Sequence, residues 1–435
     1  MAQIAPFRAL RYNPKRVNLA EVATQPYDKI TREMQDRYYA SSPYNLVRII
    51  LGKQQAHDNS GDNVYTRAAT FFHDWRKQGI LVQDDRPSIY AYRQRFWVPG
   101  TTTGRERLGF IALGRIEDYS VGVVFRHEQT LAKPKADRLE LLRATRAHFG
   151  QIFMLYSDPV GEIQGVLPID SAPEIDFADE YGVRQKVWRV SDPGVIEAVC
   201  SKMRDKKLII ADGHHRYETA LNYRNEHRAA KSASAVSSDP APYELVMMTF
   251  VHMESPGLVV LPTHRVVHGL TSFSADSLHD QARRYFSVEE VDPSIDAARA
   301  VAILHEAGHT GTALLAVTAD RAFLFDEPTG NSDIFEGLSL RQQSLDVVQL
   351  HKCLLERVLG ISEEAIRNQQ HLSYVRDADE ALARVRQQGA NVAFLMNPVR
   401  IEQVRDIAFA GEVMPQKSTD FYPKLLSGLT IYALD

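Results

Sequence analysis

The spacing of apolar and polar positions predicts short strands alternating with helices of two to four turns. Leu208, Ile209 and Ile210 form an aliphatic run that suits a buried strand, Gly213 supplies a turn, and Tyr217, Ala220, Leu221 and Tyr223 follow at helical spacing. Earlier in the chain, Thr31 is the expected N-cap of a helix that stops before Pro43, and 45–51 (NLVRIIL) reads as a strand. A helix over 64–77 ends at Gly79, and the runs 88–98 and 106–116, separated by PGTTTGR, read as a β-hairpin. Further strands are expected at 151–156, 187–190, 244–253, 258–261, 313–317, 322–325 and 391–396. Helices are expected at 193–203, 275–285, 297–307, 345–359, 377–388 and 398–409. The pattern is that of an α+β protein with mixed sheets. No self-similar period of 20 to 50 residues is present, so a repeat array is not expected.

Length adds that 435 residues hold two or three domains at roughly 150 residues each. The Ala-, Ser- and Pro-rich stretch at 229–242 (AAKSASAVSSDPAP) is a surface loop or a boundary. The expected division is therefore 1–235 and 236–435, with the second part contributing to the same cleft. Composition is ordinary for a globular chain, at 44% hydrophobic residues. A net charge of −4 gives no basic surplus, so nucleic acid is not the expected partner. The two cysteines, Cys200 and Cys353, lie far apart without CxxC spacing, which argues against a disulfide framework or a cysteine zinc site. No apolar run approaches 18 residues and the first residues lack a signal-peptide pattern, so the expectation is a cytoplasmic protein without a membrane span.

Chemistry concentrates at LIIADGHHRYETAL, 208–221. Asp212, His214, His215 and Arg216 follow an apolar strand and open a helix, where first-turn N–H groups and the helix dipole favour an anion. Arg216 adds a guanidinium suited to phosphate. Two other readings stand beside this one. Asp212 is also a good N-cap, and histidine is a common metal ligand. Adjacent histidines point about 100° apart on a helix, however, and do not share a face as an i, i+4 pair does. A metal site therefore ranks behind a phosphate site.

Other polar groups sit at comparable positions. Arg126, His127, Glu128 and Lys133 lie between a short apolar run and a helix, and a solvated charged loop is the plain alternative. Asp28 follows Pro-Tyr just ahead of a helix, where a turn-forming Asp is equally at home. His264 and Arg265 form a polar pair after an apolar strand. Lys417, Ser418 and Thr419 lie between Pro415 and Pro423, so their backbone is extended or turned. KST resembles the end of a Walker A motif, but GxxxxGK is absent and a P-loop is rejected.

Taken together, PYDKI, SPYNLVRI, RHEQT, IADGHHRYETA, LPTHR and MPQKSTDFYPKL resemble the bacterial and archaeal family called domain of unknown function 1015. The segments span 26–425, nearly the whole chain. The DGHHR core is similar to the phosphate-binding segment of the wider ParB and sulfiredoxin superfamily. Within it the nearest functional likeness is to free-serine kinases, which phosphorylate L-serine from ADP or ATP. The resemblance implies a ParB/sulfiredoxin-like nucleotide-binding core plus an additional α+β domain, with ADP or ATP and magnesium as cofactors. It makes Gly213, His214, His215 and Arg216 the phosphate cradle and Asp212 the carboxylate that receives the hydroxyl proton or positions magnesium. It leaves the N-terminal acid of those kinases to Asp28 or Glu33, and it assigns no role to Arg126, His127, Glu128, Lys133 or Lys417.

Phosphoryl transfer asks for cations and backbone donors on phosphate oxygens, together with a carboxylate that orients the nucleophile. Arg126, Lys133, Arg216, Arg265 and Lys417 offer the positive charge, with His127 and His264 beside them, and Glu128 is a further candidate acid. The expected function is a kinase acting on a small hydroxy compound, L-serine first. The expected partners are a nucleotide and a small-molecule substrate, and a homodimer is compatible with the chain. The rivals are a phosphatase using the same pocket on phosphoserine or a related monoester, and a nucleotide-binding regulator without turnover.

Overall fold

The computed structural model describes residues 2–129, 132–230, 240–309, 311–330 and 332–435. The side chains of 132–134, 332 and 388 fall outside that description, so Lys133 is placed only as part of a helix. The chain divides by its own contacts into two compact units. The first comprises Met1–Arg126, Thr130–Val259 and Pro423–Asp435, and the second comprises His127–Gln129 and Val260–Tyr422. The partition thus falls at 259/260, after the Ala- and Ser-rich stretch, and the last residues return to the first unit. Each unit pairs a mixed or antiparallel sheet with helices, and the fold is α+β.

The first unit is built on a nine-stranded mixed sheet among the described residues. In chain order its strands are β1 (Ile4–Ala5), β2 (Ile89–Trp97), β3 (Gly104–Arg115), β4 (Val124–Phe125), β5 (Ile152–Tyr156), β6 (Ile175–Ala178), β7 (Arg184–Val190), β8 (Leu208–Asp212) and β9 (Leu245–His252). Across the sheet they run β4-β8-β5-β9-β3-β2-β7-β6, with β1 on β3. The pairs β4/β8 and β5/β9 are parallel and the rest antiparallel. Both faces of the central strands are covered, which explains why β5 and β9 read as continuous apolar runs and not as alternations. Gly109 on β3 is required by this packing, since a Cβ there would stand 2.4 Å from the Phe250 carbonyl oxygen of β9.

Five helices of the first unit position the site or pack beneath it: α1 (Arg32–Ser41), α2 (Val64–Lys77), α3 (Ala132–Thr145), α4 (Pro193–Met203) and α5 (His214–Ala230). Thr31 caps α1 as expected, its Oγ1 accepting from Met34 N–H at 3.2 Å. Val199 and Met203 of α4 and Tyr217 and Ala220 of α5 share one core with Phe110, Met154, Ile210 and Phe250 of the sheet. A second cluster joins Leu46, Ile49, Phe72, Trp75, Leu141, Phe149 and Ile431. The expected strand at 45–51 is not formed: Val47–Ile50 is a short helix. Its apolar positions Val47, Ile49 and Ile50 are all buried, and an apolar run of that length has the same signature in a buried helix as in a buried strand.

The second unit carries a six-stranded antiparallel sheet among the described residues. Its strands are β10 (His264–Val267), β11 (Ser287–Val291), β12 (Leu314–Val317), β13 (Ala322–Asp326), β14 (Leu372–Val375) and β15 (Val392–Met396), in spatial order β11-β13-β12-β15-β10-β14. Helices α6 (Ala297–Ala307) and α7 (Ala378–Gln388) cover one face through Ala300, Leu304, Ala381, Leu382 and Val385. As the sequence pattern has it, His264 and Arg265 follow a strand, Val259–Leu261; they also open β10 itself and are buried.

Candidate functional site

In the first unit β8 ends at Asp212, Gly213 turns the chain with φ +95°, and α5 begins at His214. A side chain at Gly213 would be strained at this φ, and its Cβ would stand 3.0 Å from Arg216 Nε. Gly150 is close on another side, where a Cβ would lie 3.4 Å from an Arg216 terminal nitrogen. Two glycines therefore make room for one guanidinium. It donates to the Gln151 carbonyl oxygen and, at 3.4 Å, to Asp212 Oδ2. Gly213→Ala should cost about 1–3 kcal/mol in strain and push Arg216 off Asp212. Thermal unfolding of the variant measures the cost, and a melting temperature equal to wild type would contradict the crowding.

The orientation of α5 follows from its anchors. Tyr217 Oη donates to the Glu117 carbonyl at 2.7 Å, and the buried Arg224 donates to the Ile116 carbonyl at 2.6 Å. These bonds tie α5 to the chain leaving β3. The first-turn N–H groups of α5 consequently point out of its N-terminus beside the end of β8.

Asp212 is the carboxylate at the centre of a group of cations. Lys424 Nζ lies 3.7 Å from Oδ2, and Arg216 shares the same oxygen. Burial alone would raise the Asp212 pKa, but Lys424, Arg216, Lys29 and His214 together hold it well below the usual carboxylate range. Beneath it, Arg107 of β3 is buried, bonded to Gln94 Oε1 and the Pro423 carbonyl, with its guanidinium 4.7 Å from the Phe153 ring centroid. Burial lowers the Arg107 pKa to about 10, and the field of Asp212 opposes that shift. Arg216 also borders a cavity of about 70 Å³ with Tyr27, Arg138, His148 and Thr219 on its walls. Burial raises the Tyr27 hydroxyl to about 12 and lowers His148 to about 4.

The sequence candidates fall into two groups. Asp212, Gly213, His214, His215 and Arg216 are together in the first unit. Arg126, exposed in the same unit, reaches Glu218 of α5 at 3.5 Å. Asp28 is exposed on the short turn Tyr27–Lys29, where its neighbour Lys29 carries the charge that acts on Asp212. His127, Glu128, His264, Arg265 and Lys417 belong to the second unit. There Glu128 Oε1 accepts from the N–H groups of Ser418 at 2.8 Å and Thr419 at 3.3 Å, and His127 Nε2 meets Thr419 Oγ1 at 2.8 Å. Arg265 donates to the Lys417 carbonyl at 3.1 Å, while the Lys417 side chain is exposed on a left-handed backbone, φ +57°. His264 Nδ1 accepts from Met396 N–H at 3.3 Å, and burial lowers its pKa to about 4. Glu128 and Arg265 thus hold the 414–419 loop in shape.

Lys424, Lys29 and Arg107 are not among the sequence candidates. Lys424 and Lys29 lie in the segments FYPKL and PYDKI, each near a residue with a stronger local signal. Arg107 is one of many charged positions in a hairpin, and nothing local marks it as buried.

Residues 4–348 match the family described as "Protein of unknown function (DUF1015)". The chain belongs to that family. No curated protein matches the DUF1015 chain by sequence. Among solved structures, it resembles a conserved hypothetical protein from Pyrococcus furiosus at 12% identity and TM-score 0.36, covering 71% of this chain and 91% of that one. A free serine kinase in complex with AMP matches at 13% identity and TM-score 0.34, covering 69% and 83%. SbnI with C-terminal truncation from Staphylococcus aureus matches at 10% identity and TM-score 0.35, covering 74% and 87%. Among the described residues of this DUF1015 protein no helix is long and apolar enough to cross a membrane. No three His, Cys, Asp or Glu side chains among them cluster closely enough to hold a metal ion.

Proposed function

We propose that the Asp212–Arg216 junction binds the phosphates of a nucleotide, ADP or ATP, and that the protein transfers a phosphoryl group to a small hydroxyl-bearing acceptor, L-serine first. One observation carries this reading: a single carboxylate at a helix N-terminus is surrounded by Lys424, Arg216, Lys29 and His214. Cationic side chains gathered beside the first-turn N–H groups of a helix suit the oxygens of a polyanion. The likeness of DGHHR to the ParB/sulfiredoxin phosphate segment, and of that run to the free-serine kinases, points the same way.

In this reading the N–H groups of Gly213, His214 and His215 and the guanidinium of Arg216 receive phosphate oxygens, and Lys424 and Lys29 balance the charge. Asp212 accepts a hydrogen bond from the acceptor hydroxyl and orients it in line with the transferred group. Asp212 is one carboxylate hemmed by cations, a donor set that does not hold magnesium unaided. Arg216→Ala should weaken ADP or ATP binding roughly 10- to 150-fold, the loss of a charge-assisted hydrogen bond of about 1.5 to 3 kcal/mol. Equilibrium titration of wild type and variant tests this, alongside an assay for phosphoserine formed from L-serine with each nucleotide. Unchanged affinity would remove Arg216 from the site, and absence of transfer to any small hydroxy compound would end the kinase reading. Release of phosphate from phosphoserine would favour the hydrolase instead.

A further inference from the structure

The motifs RHEQT and MPQKST find no use in the Asp212 chemistry, yet the second unit brings them together. Glu128 binds the N–H groups of Ser418 and Thr419, and the adjoining Gln129 and Gln416 both line a cavity of about 280 Å³. That volume is just below the range that holds drug-sized ligands, roughly 300 to 1,000 Å³, and leaves room for a smaller molecule. The chain segment forming one wall, Leu350–Val358, is wound as a π-helix, continued by Leu359 N–H bonding to the carbonyl five residues back at 2.9 Å. The wide turn brings His351, Lys352 and Glu356, spaced by four and five residues, to the same cavity. Such windings recur at functional sites because they cost helix geometry.

His351 is buried, and its Nε2 has no hydrogen-bond partner among the described residues. Burial, with Arg265 and Lys352 adding to it, holds its pKa well below the ordinary histidine value, so the ring is neutral. Tyr374, also in the lining, lies under the Arg265 guanidinium at 5.2 Å, and Leu338, Ile366 and Val413 supply apolar surface. The charged side chains at the cavity largely cancel. Lys352 pairs with Glu356 at 3.0 Å and Glu363 at 3.4 Å, and Arg367 pairs with Glu363 at 2.9 Å. With Glu336 added, three carboxylates face two cations, which disfavours an anionic ligand.

We propose that this cavity is a second small-molecule site, taking an uncharged planar heterocycle of nucleobase size whose ring edge hydrogen-bonds His351 and whose faces pack on Tyr374 and Ile366. Apolar walls receive the faces of such a ring, neutral imidazole and glutamine amides match its mixed donor and acceptor edge, and the rim rejects a phosphate tail. The site does not depend on the phosphoryl-transfer reading of the first unit.

Free adenine, guanine, cytosine and uracil, titrated into the full chain by calorimetry or saturation-transfer NMR, provide the test. At least one base should bind saturably. His351→Leu should weaken it about tenfold, the loss of one hydrogen bond in a closed site. Gln416→Trp, placed at the mouth, should abolish binding with the melting temperature kept, which separates occlusion from misfolding. Absence of binding by all four bases overturns the proposal. So does a base whose affinity survives Gln416→Trp, because that base would be bound outside this cavity.

Discussion

Asp212→Asn is expected to lower phosphoryl transfer by roughly 10²-fold, the scale of losing an orienting contact, while ADP or ATP binding is kept or improves. The substitution preserves shape, so β8, Gly213 and the start of α5 should stay in place. What it removes is the charge that Lys424, Arg216, Lys29 and His214 surround. A nearby negative charge repels phosphate, so its loss favours nucleotide binding. The acceptor hydroxyl, however, loses the anionic partner that aims its oxygen at phosphorus. Because the cations hold the Asp212 pKa far below neutrality, the carboxylate is a weak base whose contribution is orientation and field. Wild-type rates should therefore show no limb from Asp212 between about pH 5 and 9. Steady-state rates and nucleotide titrations of both proteins decide the matter, and equal rates would leave Asp212 as a structural neutraliser of its cations.

The strand, turn and helix around Gly213 were legible because three local signals agreed: an aliphatic run, a glycine, and helical spacing from Tyr217 onward. The hairpin of β2 and β3 was legible for the same kind of reason. Val47–Ile50 was not, since a four-residue buried helix offers too little period to separate it from a strand. Asn45 Oδ1 accepts from Val47 N–H at 2.9 Å, a local bond at the start of the helix that the apolar run does not announce.

Long-range placement limited the site more than local structure did. Asp212 and Arg216 stand out because they are close to each other in sequence as well as in space. Lys424 joins them across more than two hundred residues, on a tail that rejoins the first unit and ends with Tyr432–Ala433 paired to Ala147–His148. No spacing rule separates it from Lys417, seven residues earlier, whose side chain is exposed in the other unit. Arg107 illustrates the complementary failure. Alternation along β3 suggests a solvent-facing charge, but a sheet covered on both faces has no outer side, and Arg107 is buried against Phe153.

A second large effect is expected far from this chemistry, at Asp346 of the second unit. Its carboxyl is largely buried, and burial raises its pKa to about 7, against the pull of Arg400 and hydrogen bonds from Ala313 and Thr312. The unfolded chain titrates this group near 3.8, so between about pH 4 and 7 the folded state holds a proton that the unfolded state has lost. Stability contributed by this group must fall as pH rises through that window, the opposite of a salt-bridged aspartate. At about 1.4 kcal/mol per pH unit the penalty approaches roughly 4 kcal/mol above pH 7. Asp346→Asn removes the ionisation and keeps an oxygen that can accept from Ala313. It should leave stability near pH 4 unchanged and raise it at pH 8 by up to about 4 kcal/mol. Denaturant unfolding at the two pH values measures the difference. A variant equally stabilised at both, or destabilised at pH 8, would mean that Arg400 and the two hydrogen bonds hold the carboxylate ionised in the folded protein.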